Sequence, residues 1–195
     1  KHITAKKLWE RYGEAMKSIL EAYRRGFGDE VCMHDNALIW ASAERPLTWM
    51  GTIVDGAALT PRRGYDVEVE ALWYNAVEYT LFLARKCGDK GFVVAWKELP
   101  ARIKTSFLSK FWLEEEGYLA DYVNGDEVNK FIRCNMVVAL GLDYTMLDEN
   151  QRVRALMVIR QHLLTPRGLR TLSPRNPLYK SNYNEDQRSQ DLASR

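Results

Sequence analysis

Two stretches of this chain set polar residues against apolar runs in a way that could do chemistry. The first is Thr60-Pro61-Arg62-Arg63-Gly64-Tyr65, leading into Val67-Glu68-Val69-Glu70-Ala71-Leu72-Trp73-Tyr74-Asn75-Ala76. The second is Phe131-Ile132-Arg133-Cys134-Asn135-Met136. Arginine, asparagine and carboxylates hydrogen-bond sugar hydroxyls, and aromatic faces stack on sugar rings. On a helix, Glu68, Leu72, Asn75 and Tyr79 share one side. Polar groups at the end of a buried aromatic helix are costly unless paired. A plainer reading stands beside this one. Glu68 complements a helix N-terminus and pairs with Arg62, Asn135 caps a helix while Arg133 meets a loop acid, and the six tryptophans pack in the core. On these residues alone the plainer reading is the commoner of the two.

Other chemistries find little support. There is no Gly-Lys-Ser/Thr phosphate loop, no Gly-x-Gly-x-x-Gly, no Gly-x-Ser-x-Gly elbow and no His-Glu-x-x-His. His2, His34 and His162 are scattered, and Cys32, Cys87 and Cys134 make neither a zinc pattern nor a disulfide framework. They read as reduced thiols, which favours a cytoplasmic location. With 28 basic and 26 acidic residues among 195, the net charge of +2 gives no footprint for nucleic acid or an anionic membrane. No apolar run approaches the ~20 residues of a membrane helix, and no signal peptide is visible. The chain opens on Lys1, which reads as a piece of a longer polypeptide.

Five helices must position these residues. Thr4–Arg25 repeats Leu8, Trp9, Tyr12, Met16, Ile19, Leu20 and Tyr23 at helical spacing. Asp66–Lys86 is apolar nearly all round and so expected to be buried. Val93–Phe111 should kink or split near Glu98, ahead of Pro100. Asn135–Leu142 is short and very apolar, and Asp148 caps a helix over Glu149–Leu164. Residues 29–65 read as one irregular stretch, unusual in a compact domain and commonly functional. Glu116–Val123 reads as extended, ending at the Asn124-Gly125 turn. Residues 1–180 form the expected domain and 181–195 a polar tail or connection. The fold class expected is all-α, with long loops.

In order, Thr48-Trp49-Met50, Thr60-Pro61-Arg62-x-Gly64 and Val67-Glu68-Val69-x-Ala71-Leu72-Trp73-Tyr74-Asn75-Ala76 carry a resemblance. It continues through Phe111-Trp112, Gly117-Tyr118-Leu119, Arg133-x-Asn135, Leu164-Thr165-Pro166-x-Gly168-Leu169-Arg170-Thr171-Leu172-Ser173-Pro174, Tyr179-Lys180 and Asp186-Gln187. Together these resemble the amylo-α-1,6-glucosidase domain of glycogen debranching enzymes, in its shorter bacterial and archaeal form.

The resemblance implies an (α/α)6 toroid, of which this chain would be about half. It also implies hydrolysis of α-1,6-linked glucose at the branch points of glycogen or a limit dextrin, with no cofactor. Trp49, Arg62, Glu68, Trp73, Asn75, Arg133 and Asn135 would line the glucose pocket. The mechanism implied is inverting, with an acid and a base about 6.5–9.5 Å apart. In the family an Asp taken as the general acid follows Thr-Trp-Met, and here Gly51 stands there; Asp55 is not expected to replace it. The family's base, a Glu, falls beyond this chain, and Cys134 and Met136 replace a Pro and a Gln. A half-toroid would expose inner helix faces, to be covered by the rest of the toroid or by a second copy. The alternative to a hydrolase is a non-catalytic sugar-binding or regulatory relative.

Overall fold

A computed structural model describes residues 3–44, 47–54, 56–58 and 60–180. Its frame is helical, and local signals account for most helix ends. Helix α1 (Ala5–Arg25) starts at Thr4, whose hydroxyl accepts from the Lys7 amide. Helix α2 (Val67–Cys87) ends at Gly88, whose left-handed φ of 78° returns its N–H to the Ala84 carbonyl. Helix α3 (Lys90–Trp96) is capped by Asp89. Pro100 sits in the first turn of α4 (Leu99–Phe111), where its missing N–H costs nothing, so the expected split falls at Lys97–Glu98. Helix α5 covers Met136–Gly141. Helix α6 (Glu149–His162) opens on a full capping box between Asp148 and Gln151.

Helix α2 is the axis of the domain, with α1, α3, α4 and α5 packed on it. Its interior is aromatic. Trp73 meets Trp96 edge-on at 6.3 Å, Trp96 stacks on Phe92 at 5.3 Å, and Phe107 stacks on Phe111 at 4.8 Å. Between α1 and α2 an apolar groove of about 220 Å³ is lined by Ile19, Tyr23, Val69 and Leu72. No helix among the described residues is long and apolar enough to cross a membrane.

The expectation of an all-α toroid is overturned. Eleven short strands in five small antiparallel sheets lie between the helices of the described residues, and the helices cluster around α2. Residues 29–65 are not irregular throughout: β1 (Val31–Met33) pairs with β2 (Ile39–Ala41), and β3 (Ile53–Val54) with β4 (Ala57–Ala58). Strand β5 (Tyr65–Asp66) pairs with β8 (Tyr122–Asn124), which pairs with β9 (Glu127–Asn129). Strands β6 (Trp112–Leu113) and β7 (Tyr118–Leu119) pair, as do β10 (Leu164–Thr165) and β11 (Gly168–Leu169). Strands of two or three residues are too short to show alternation, and the β5–β8 pairing joins segments far apart in the chain. Only β7 and β8 are announced locally, by the extended reading of Glu116–Val123 and the Asn124-Gly125 turn.

One glycine is required by this sheet. Gly64 exchanges both backbone hydrogen bonds with Ala41 on one side. At its φ of 114° a Cβ would stand 2.3 Å from the Val123 carbonyl oxygen of β8. Only glycine lets the two backbones approach there.

Candidate functional site

The β5–β8 pairing brings the N-terminus of α2 against the segment that leads into β8. There Asp121 is pinned by its backbone: its N–H donates to Asn129, and its carbonyl accepts from Val67 in the first turn of α2. That carbonyl also takes a 2.9 Å hydrogen bond from Arg62 Nη2. Arg62 grips Glu68 in a bidentate pair, Nη1 to Oε1 at 2.5 Å and Nη2 to Oε2 at 2.7 Å. Its Nε lies 3.2 Å from both Asp66 Oδ1 and Asp121 Oδ2, within ion-pair distance but not aligned as a hydrogen bond.

Asp121 then links this cluster to the second one. Arg133 Nε stands 3.5 Å from Asp121 Oδ2, and Asn135 Nδ2 donates to Asp121 Oδ1 at 2.8 Å. The Asn135 carbonyl oxygen accepts from Trp49 Nε1 at 3.0 Å, reaching 86 residues along the chain. Asn135 also approaches Met50 Sδ at 3.3 Å. Arg133 is placed by an antiparallel bridge to Leu172, with Ser173 donating to the Ile132 carbonyl alongside.

Arg62, Asp66, Glu68, Asp121, Arg133 and Asn135 are all buried, while Trp49 is 59% exposed. Two guanidinium groups thus face three carboxyls out of water. Burial pushes the Asp66 carboxyl up to about 8, against the pull of Arg62 and with help from Glu68 and Asp121. At neutral pH it is therefore mainly protonated. Burial also raises Asp121, although Arg62, Arg133 and the Asn135 hydrogen bond oppose it. Arg133 is lowered, chiefly by burial. Its Nη1 is a buried donor with no hydrogen-bond partner, as is Arg62 Nε. Arg62 makes a bidentate pair with Glu68, whereas Arg133 meets Asp121 through Nε at 3.5 Å.

An open cleft of about 510 Å³ runs beside the cluster, lined by Thr60, Arg62, Asp121 and Arg133 and by Tyr122, Glu127 and Asn129 of the β8–β9 hairpin. The amylo-alpha-1,6-glucosidase family matches the chain over residues 2–194. The chain belongs to that family. Nothing among the curated proteins matches it.

Of the residues the motifs pointed to in this amylo-alpha-1,6-glucosidase domain, the structure brings five together: Trp49, Arg62, Glu68, Arg133 and Asn135. Trp73 and Asn75 have other partners further along α2. The Trp73 indole donates to the Ala37 carbonyl, and Asn75 accepts from the Tyr144 amide. Asp121 and Asp66 went unremarked in the sequence, although both hold the cluster together. The signal for Asp121 was its place as the one charged residue in the apolar run Tyr118–Val123. Gly51 follows the Trp49-Met50 pair in the loop above Asn135, and Asp55 lies outside the described residues. Among the described residues no group of His, Cys, Asp and Glu is arranged to hold a metal ion.

Proposed function

We propose that this chain recognises the α-1,6-linked glucose at a branch point of an α-glucan, in the cleft beside Arg62, Asp121 and Arg133. It does so as part of a glycoside hydrolase domain related to glycogen debranching enzymes, with residues 1–180 as the domain and 181–195, outside the described residues, as a polar extension. The convergence on Asp121 and Asn135 carries this reading. Four of the segments that resemble the family reach one polar cluster at the edge of a cleft, and buried charge is retained there at a cost a purely structural helix end need not bear. Arg133 lines the cleft, and Trp49 is exposed with its indole N–H held by Asn135. Glu68 and Asn135 position these groups from behind. The polar atoms of Trp73 and Asn75 are committed elsewhere and are assigned no contact with sugar.

Inverting hydrolysis needs one carboxyl to protonate the glycosidic oxygen and a second to activate water. Gly51 has no proton to give. Asp121 is held by two arginines and an amide, so it is a poor candidate to move a proton. These observations favour a second reading beside the first: a domain that holds the branch glucose without cleaving it. Glucose release from a glucosyl-α-1,6-branched dextrin, by the complete gene product and by its Gly51→Asp variant, separates the two. Release by the unaltered protein establishes hydrolysis. Release only after Gly51→Asp establishes a binding domain that lost its acid, since such a loss costs about 10²–10⁴-fold in rate. Failure of both proteins even to bind the dextrin would overturn the site.

A further inference from the structure

We infer that Asp66 is a positioning residue for this site: the proton on its carboxyl keeps Arg62 on Asp121, and loss of that proton loosens the wall of the cleft. The consequence for glucan binding rests on the reading of the cleft as a glucan site. The proton-controlled rearrangement itself does not.

Asp66 is held differently from the other two acids of the cluster. Both oxygens of Glu68 are taken by Arg62. Asp121 accepts from Asn135 through Oδ1 and lies within ion-pair distance of both arginines through Oδ2. Neither oxygen of Asp66 has a hydrogen-bond partner, although the residue is only 1% exposed. It stands at the N-cap of α2, yet its side chain accepts no amide there. A buried carboxylate without donors is costly and the neutral acid far less so, which makes this carboxyl the place where the cluster keeps a proton.

That proton governs Arg62. Its Nε stands 3.2 Å from Asp66 Oδ1 and 3.2 Å from Asp121 Oδ2. While Asp66 is neutral, the Asp121 carboxylate draws Nε without a rival. Once Asp66 ionises, three carboxylates compete for two guanidinium groups out of water, and Nε is pulled equally from both sides. Asp121 then loses part of its hold. The change passes to Arg133 on the cleft, to Asn135, and through Asn135 to the Trp49 indole. Arg62, Glu68 and Asp121 face Asp66, with Arg133 and Cys134 beyond Asp121, Tyr122 across the β5–β8 pair and Glu70 one turn along α2.

Two titrations of the whole chain between about pH 6 and 9 test this. The first follows the Trp49 indole N–H by NMR without ligand, its resonance assigned by its loss in Trp49→Phe. It should move with a midpoint near 8 in the unaltered protein and stay still in Asp66→Asn. The second measures the calorimetric affinity for glucosyl-α-1,6-branched dextrin. That affinity should fall about tenfold between pH 7 and 9 in the unaltered protein and stay level in Asp66→Asn. Circular dichroism checks the fold across the range. Should Asp66→Asn not fold, Glu70→Gln and Cys134→Ser must both keep the titration, and its loss in either overturns the inference. An indole that does not titrate overturns the inference and, where the dextrin binds, leaves the proposed function standing. So does a titration that survives Asp66→Asn, or dextrin affinity level with pH while the indole moves. An indole that titrates through Asp66 in a protein that binds no dextrin overturns the proposed function and leaves the proton control in place.

Discussion

Helix α2 has two regions built on opposite principles. Its N-terminus, with Asp66 and Glu68, is buried in a network of charge that also takes in Arg62, Asp121 and Arg133. Its middle is buried among Trp73, Trp96 and other rings, with one indole N–H satisfied by a backbone carbonyl. Apolar packing stabilises in proportion to area and tolerates small imperfections. A buried ion network repays its desolvation only when nearly every member is present. The aromatic middle therefore serves stability, whereas the charged N-terminus holds groups in fixed positions beside an open cleft.

The largest expected effects are losses of similar size with different pH signatures. Arg62→Met leaves three carboxyls facing one another and should cost about 3–5 kcal/mol in chemical denaturation near pH 7. Phe107→Ala in the aromatic interior should cost about 3–5 kcal/mol as well. On acidification the Arg62→Met deficit should shrink, as the stranded carboxyls take up protons, while that of Phe107→Ala stays constant. Parallel pH curves for the two variants would erase the contrast between the two regions of α2.

Next in size is Gly64→Ala, which combines a left-handed φ with a clash against β8. It should cost about 1–3 kcal/mol and weaken glucan binding, because the β5–β8 pairing is what brings Asp121 to Arg62. Full glucan binding in a destabilised Gly64→Ala would show that the cluster assembles without that pairing.

The third effect concerns Asp66. Its folded value near 8 lies above the ordinary 3.8, so the native state keeps a proton that the unfolded chain gives up. Its contribution is full below pH 3.8 and is lost as pH rises towards 8. The loss amounts to at most about 1.4 kcal/mol per pH unit for the single proton. Asp66→Asn should flatten the stability curve across that window. Glu70, buried and raised by desolvation, keeps part of the slope. An unchanged slope would mean that Asp66 is not the group holding the proton.

The smallest stability effects separate two tryptophans. Trp73→Phe should cost about 0.5–1.5 kcal/mol through the lost bond to Ala37 and leave sugar binding alone. Trp49→Ala should shift stability by no more than about 0.5 kcal/mol yet weaken glucan binding measured by calorimetry. Equal glucan affinity in Trp49→Ala would remove Trp49 from the site.

Much of this protein is legible from neighbouring residues. Thr4, Gly88, Pro100 and the Asp148–Gln151 box mark helix ends within a turn of where they fall. The ordered motifs identify the family, and Arg62 with Glu68 could be paired on paper because they lie six residues apart. Apart from the extended Glu116–Val123 piece and its Asn124-Gly125 turn, the short strands were not legible, since two or three residues carry no period, and they turn an expected all-helical layer into helices laced with small sheets. Nor was the role of Asp121. It reaches Arg62 across 59 residues, and Trp49 reaches Asn135 across 86. Caps and helix starts depend on atoms within one turn, so a reader of the chain can place them. Which acid shares a buried arginine depends on which backbones the packed core brings within 3 Å, and only folding sets that distance.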